Sequence, residues 1–340
     1  MTNVLHFIDK VIFKRGNLFF FFFLIACFFS RLNSQFYLID IIGQLGFQII
    51  IGGILLFFVL LILKRLLASL ICIAICILLT IDILSSCNQC NAFLENKSQN
   101  YNKIRLMTFN TGFSNDFKNI REMILFEKPE VIQFQEVSSP MQDNLKSLKS
   151  LFPYNAGLDK PLDYFSSIVL SKYPLKNIKV ADNYTVLTKV ILGETELTII
   201  GIHLSAPLNQ LLLNLYVDLY FKYSDATKPQ PLPLVSLDIA IKQMEYLKTL
   251  IDNTNQNLIL MGDLNMTTTS KRFTNFLKDT NLYTYASYKP STFTWPAFVP
   301  GYLGIQIDHV LFSENFKVIR KKTANHFGSD HRPLLVDLAF

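Results

Sequence analysis

The chain has 340 residues, half of them hydrophobic, with 32 Lys/Arg against 26 Asp/Glu and a mean hydropathy of +0.30. That average excludes an ordinary soluble protein over the whole length, and the apolar excess sits in the first ninety residues. Residues 100–340 hold 25 Lys/Arg, only five of them Arg, and 22 Asp/Glu, which argues against a surface built to grip duplex nucleic acid.

Three apolar stretches open the chain. The first, Leu18 to Phe29, contains five consecutive Phe; the second runs from Ile41 to Leu63 and the third from Leu66 to Leu84. A spanning helix needs roughly 20 apolar residues, so the second and third are predicted to cross a membrane, with Lys64–Arg65 as the turn between them. The first is short, and crosses if it extends through Arg31 with the guanidinium snorkelling to the interface. Lys10, Lys14 and Arg15 precede it. With three crossings these basic residues and Lys64–Arg65 share the cytoplasmic side, which places the C-terminal part outside the cytoplasm. A buried core helix would show one apolar stripe; these stretches are apolar all round. Residues 1–90 are therefore predicted to be a membrane anchor of two or three transmembrane helices, with 91–102 as a linker. All five Cys lie here, and Cys87 and Cys90 form a lone Cys-x-x-Cys without further ligand spacing.

From Lys103 short apolar runs alternate with charged helical segments. Ile104 to Asn110, Pro129 to Glu136, Ser167 to Ser171, Leu197 to His203, Leu258 to Asp263, Ile307 to Phe312 and Leu334 to Leu338 read as strands; Phe117–Phe126 and Leu237–Ile251 read as helices. The mixture predicts an α/β domain over 103–340, a layered sandwich. One regularity runs through it. Strands repeatedly deliver a polar side chain at or beside one end: Asn110, Glu136, His203, Asp263 with Asn265, Asp308, and Asp330 with His331. A single Asp after a strand is most often a turn former and a single His most often structural, but so many in one domain point to a site.

At these residues the sequence resembles the endonuclease/exonuclease/phosphatase superfamily. The resemblance rests on Thr108-Phe109-Asn110, Gln133-Phe134-Gln135-Glu136, Ser167 to Pro174, Gly201-Ile202-His203-Leu204, Gly262-Asp263-Leu264-Asn265, Ile307-Asp308-His309-Val310 and Gly328 to Pro333, in family order. Ser167 stands where the pattern has Gly. The resemblance implies a four-layer α/β sandwich of two packed mixed sheets flanked by helices, and a divalent-metal-dependent phosphoesterase. A hard cation, Mg²⁺ or Mn²⁺, takes oxygen ligands; Asn110, Glu136 and Asp330 are the expected set. His331 is expected to act as base, with Asp308 fixing its tautomer. The resemblance gives Asp263 the attacking water, Asn265 a phosphoryl oxygen and His203 the developing charge. His309 is expected to face away as a structural residue, His326 and Tyr164 are candidate substrate contacts, and the apolar insertion Pro207–Val235 reads as a lid, a membrane contact or a surface insertion. The substrate is expected to be a phosphate ester: a lipid headgroup, nucleic acid or nucleotide. An exported nuclease and a catalytically inactive membrane-tethered binding module are the rival readings.

Overall fold

A computed structural model describes residues 17–32, 37–92, 101–161, 167–181, 184–206, 237–254, 257–287 and 289–340. The insertion 207–235 and Tyr164 lie outside the described residues. The chain divides into two compact units, one of residues 1–88 with 267–275, the other of 89–266 with 276–340.

Among the described residues, the apolar helices of the first unit are α1 (Asn17–Ser30), α2 (Tyr37–Gln44), α3 (Gly46–Ile62) and α4 (Leu66–Ser85). Phe23, Cys27, Leu60, Cys72, Cys76 and Leu79 form the common core of α1, α3 and α4. Gly53 sits where α1 and α4 come close, since a Cβ there would run into Phe23 and Cys76; small residues permit such close approach. Among the described residues only α4, at 20 residues, is long and apolar enough to cross a membrane by length and composition.

The second predicted span is broken. The stretch Ile41–Leu63 does not form one helix: α2 stops at Gln44 and α3 restarts at Gly46. The Gln44 carbonyl accepts from the hydroxyls of Thr267 (2.9 Å) and Thr269 (3.2 Å), and its side-chain oxygen accepts from the Thr267 amide. Gly46 is needed beside this contact, because a Cβ would stand 2.9 Å from Thr269 Cβ. Arg31 does not snorkel either; it pairs with Asp82 and donates to the Thr269 carbonyl at 3.0 Å. A buried Asp40–Arg272 pair (3.0 Å) closes the same region. Cys87 and Cys90 are disulfide-bonded.

The second unit is built on two mixed sheets. Its strands are β1 (Lys103–Asn110), β2 (Val131–Gln135), β3 (Tyr154–Ala156), β4 (Ser167–Ser171), β5 (Leu175–Ala181), β6 (Thr185–Leu192), β7 (Thr195–His203), β8 (Leu258–Asp263), β9 (Asp308–Phe312), β10 (Lys317–Thr323) and β11 (Leu334–Ala339). Six strands pair in the order β10-β11-β1-β2-β4-β3, and five in the order β5-β6-β7-β8-β9. Period-two alternation divides the side chains of β1: Ile104 and Leu106 enter the core between the sheets with Val169, Ile199, Met261 and Val310, while Met107 and Phe109 enter an outer core. Helices α5 (Phe117–Glu127) and α6 (Ser139–Lys146) cover that outer face through Ile120, Ile124, Met141 and Leu145. This is the expected arrangement of two mixed sheets flanked by helices.

Two pairings fix the site. β1 with β2 and β7 with β8 are the parallel pairs, and the remaining neighbours are antiparallel. The close approach of β7 to β8 requires Gly262, whose φ is +148° and whose Cβ would run into the Ile202 carbonyl. A Gly262→Ala chain is expected to lose at least about 2 kcal/mol of stability, read as a lowered midpoint in chemical denaturation of the full-length protein.

Candidate active site

Strand register assembles the site. Asp263 lies opposite His203 on β7 and opposite Asp308 on β9, so three adjacent strands present these side chains in one row. Across the other sheet, Asn110 ends β1 beside Gln135 of β2, and Glu136 follows at once. Two turns of uncommon backbone carry the ligand-type side chains: Glu136 and Asn265 both have φ of +49°. Left-handed backbone at non-glycine residues costs roughly 1–3 kcal/mol and collects at functional sites. The surroundings hold both. The Glu136 carbonyl accepts from Phe113 N (2.9 Å) and Thr111 Oγ1 (2.6 Å). Asn265 donates from Nδ2 to the Leu204 carbonyl (2.7 Å) and from its amide to Asp263 Oδ1 (2.8 Å).

Six of the eight predicted side chains form two groups that share Asp263. His331 Nδ1 lies 2.9 Å from Asp308 Oδ2, and its Nε2 lies 3.7 Å from Asp263 Oδ2. His203 Nε2 lies 3.4 Å from Glu136 Oε1 and 3.8 Å from Asp263 Oδ2. Asn110 ties the groups together, donating from Nδ2 to Glu136 Oε1 (2.9 Å) and to Asp263 Oδ2 (3.0 Å). Its oxygen is turned the other way, accepting from Gly112 N at 3.0 Å. In this orientation Asn110 bridges the two carboxylates through its Nδ2.

Burial sets the electrostatics. Glu136 is pushed up to about 8, by desolvation first and then by the Asp330 carboxylate. Asp263 rises to about 7 through desolvation and Asp308. For His331 burial alone would depress the pKa, but Asp308, Asp330 and Asp263 together raise it well above the ordinary histidine value. His203 goes the other way, to about 3, through burial and then the neighbouring His331. His203 is thus a neutral imidazole, and its approach to Glu136 is a polar contact rather than an ion pair.

Two sets of groups are candidates for a cation. Asp263, Asp308 and His331 each bring a ligand-type atom within 4.8 Å of one another. That set is committed elsewhere, because the His331 nitrogen nearest Asp308 is already hydrogen-bonded to it. Glu136 and Asp330 fit better: a partly buried and a buried carboxylate that repel each other form an all-oxygen donor pair suited to a hard divalent ion.

Several residues of the motif runs support the site in ways the sequence did not assign. Trp295, the only Trp of the chain, donates from Nε1 to Asp330 Oδ2 (2.9 Å). Thr294 Oγ1 accepts from the amides of Ile307 (3.2 Å) and Asp308 (3.3 Å). Ser329 Oγ accepts from the His331 amide (2.9 Å) and donates to the Asn110 carbonyl (2.8 Å), joining β1 to the Asp330–His331 loop. His309 faces away from this row, as expected, and His326 joins the loop through its carbonyl, which accepts from Ser329 N.

No curated protein matches the chain. Among solved structures it is similar to an endonuclease/exonuclease/phosphatase from Beutenbergia cavernae DSM 12333 (17% identity, 70% of this chain and 72% of that one, TM-score 0.48). A family protein from Leptotrichia buccalis C-1013-b gives 14% identity, 70% and 100% coverage, and 0.48. Sphingomyelinase C from Streptomyces griseocarneus gives 15% identity, 69% and 99%, and 0.45. The model of the Endonuclease/Exonuclease/phosphatase family matches residues 107–331, from the second half of β1 to His331. That stretch carries every strand-end residue of the site, and the chain belongs to the endonuclease/exonuclease/phosphatase family.

Proposed function

We propose that the chain is a membrane-anchored, divalent-metal-dependent phosphoesterase that hydrolyses phosphodiester or phosphomonoester bonds. The observation that carries this reading is the Asp308–His331–Asp263 row beside the Glu136–Asp330 carboxylate pair. Asp308 holds His331 Nδ1, so the Nε2 edge takes a proton from water once the ring, whose pKa the surrounding carboxylates raise, has given up its own, and Asp263 is near enough to that edge to orient the water. His203, kept neutral by burial, donates from Nε2 toward charge developing on the phosphoryl group. Asn265 follows Asp263 by two residues and faces the same region. Glu136 and Asp330 would hold Mg²⁺ or Mn²⁺, with Trp295 fixing Asp330 and Asn110 fixing Glu136. Bound there, such an ion supplies charge neutralisation at the phosphoryl and leaving oxygens.

The anchor reading draws on α4 and on apolar side chains that face outward, among them Ile62 at 79% and Leu67 at 74% exposure. Disulfide-bonded Cys87 and Cys90 suit an oxidising compartment, in keeping with the orientation inferred from Lys10, Lys14, Arg15 and Lys64–Arg65, which puts the catalytic unit on the non-cytoplasmic side.

The test uses full-length protein in detergent, stripped of metal and then given Mg²⁺ or Mn²⁺. Plasmid DNA, RNA, phosphoinositides, sphingomyelin and bis-(p-nitrophenyl) phosphate are offered in turn. Turnover of one class that chelation abolishes and metal restores is the expected result, and the class names the substrate. Turnover that survives chelation removes the metal from the reading. Folded protein that turns over nothing favours the binding module.

A further inference from the structure

His309 stands next to Asp308 on β9, so the two side chains point to opposite faces. Asp308 reaches the base. His309, which is fully buried, reaches a different part of the site. Its Nε2 lies 2.7 Å from the carbonyl oxygen of Met266, the residue immediately after Asn265. Its Nδ1 lies 3.3 Å from Gln306 Nε2, and that same nitrogen donates to the Asp308 carbonyl at 3.0 Å.

Donor and acceptor chemistry leaves one arrangement. A carbonyl only accepts, so Nε2 carries the hydrogen. The Gln306 nitrogen that serves the Asp308 carbonyl is a donor, so Nδ1 is the acceptor. The ring is therefore neutral with one fixed tautomer, and a second proton would oppose the Gln306 amide. Burial, and after it Lys321, depresses the His309 pKa to about 3, in the same sense.

The Met266 carbonyl closes the turn that begins at Asp263. Its other ties include the Leu264 amide to the Ile307 carbonyl (3.0 Å), the Asn265 amide to Asp263 Oδ1 and Asn265 Nδ2 to the Leu204 carbonyl. Within it Asn265 sits at φ +49°, a conformation that persists only where its surroundings over-determine it; besides its own two bonds, the residues on both sides of it are held. Asp263 is held by its strand; Met266 is held by His309.

We propose that His309 is a positioning residue for hydrolysis: as a fixed neutral donor to the Met266 carbonyl it keeps Asn265 in its left-handed backbone conformation, and with it the Asp263–Asn265 pair that faces the phosphoryl group. Adjacent residues of one strand thus serve both halves of the site, Asp308 the base and His309 the phosphate-facing turn. The inference rests on the hydrolytic reading above.

The experiment compares full-length wild type, His309→Leu and His309→Gln in detergent with Mg²⁺ and bis-(p-nitrophenyl) phosphate. Gln places an N–H donor near the position of Nε2; Leu has none. In His309→Leu, kcat is expected to fall about tenfold to a hundredfold, the scale of a misplacement near 1 Å. KM and the Mg²⁺ concentration for half activation should stay within about threefold of wild type, because Glu136 and Asp330 lie outside the turn, and His309→Gln should recover most of kcat. Hydrogen exchange, which needs no turnover, should rise in residues 264–267 of His309→Leu and return in His309→Gln. A His309→Leu chain with unaltered exchange there, or with kcat within twofold of wild type, overturns the proposal, as does a folded His309→Gln chain that fails as badly as Leu. Wild type that hydrolyses no phosphate ester overturns the hydrolytic reading itself, while the exchange comparison still reads the His309 contact alone.

Discussion

A His331→Ala chain is expected to hydrolyse its phosphate ester with kcat lowered about 10³–10⁴-fold, the upper range for loss of a positioned general base. KM should change little, since the ring acts on water rather than on substrate. Asp308→Asn should fall within about tenfold of His331→Ala, because the amide removes the acceptor that fixes Nδ1–H and so selects the wrong tautomer. The double variant should be no slower than the worse single variant, as groups that act as one unit are not additive. Stability separates this from collapse of the site. Asp308 is fully buried, and its Oδ1 has no hydrogen-bond partner among the described residues. Deleting His331 strips its Oδ2 as well and should cost about 1–3 kcal/mol. His331→Asn keeps a side-chain donor near the position of Nδ1, toward Asp308; it should recover that stability and none of the rate. Single-turnover kinetics beside denaturant melts measure both quantities. Activity of His331→Ala within tenfold of wild type would remove the base from the mechanism.

The types of residue in this site were legible because buried strands leave little room for anything else. Leu258 to Met261 are apolar on both faces, so the polar pair Asp263 and Asn265 after Gly262 marks where the sheet ends and water begins. What was not legible is which strand ends meet. His203 faces Asp263 only because β7 runs parallel to β8, and Asp263 faces Asp308 only because β9 runs back along it; those pairings link residues far apart in sequence. Asn110 shows the same limit at the scale of one side chain. Its presence was readable, but the direction of its amide depends on Gly112 N and on two carboxylates. In the first unit hydropathy misled for a related reason. A sum over Ile41–Leu63 counts apolar residues and cannot register a helix broken by hydroxyls 223 and 225 positions away. Arg31 likewise read as an interfacial cation, while its partner Asp82 lies on another helix.

Replacing Glu136 by Gln should move activity and stability in opposite directions. Gln keeps the shape and keeps an oxygen for Asn110 Nδ2, but removes the charge. If Glu136 and Asp330 share a divalent cation, the concentration of Mg²⁺ for half activation should rise at least about tenfold, and kcat at saturating Mg²⁺ should fall about 10²–10³-fold, since the ion's charge neutralisation is weakened or displaced. The metal-free protein should respond differently. The Glu136 pKa is raised from 4.5 to about 8 in the fold, through burial and Asp330. An acid whose folded value is raised favours the native state below its unfolded value and loses that contribution as pH rises through the folded value. Metal-free wild type should therefore lose stability between about pH 5 and 8, and Glu136→Gln should lose less of it. With 13% of the Glu136 side chain still exposed, the difference at pH 8 should be about 2 kcal/mol in favour of Gln, below the full linkage value. Adding Mg²⁺ should then raise the melting temperature of wild type and leave Glu136→Gln nearly unmoved. The pair of measurements discriminates between a ligand and a buried structural acid. A structural Glu136 would give a variant whose stability and activity shift together, with Mg²⁺ acting equally on both proteins, and the cation would then have to be sought among Asp263, Asp308 and His331.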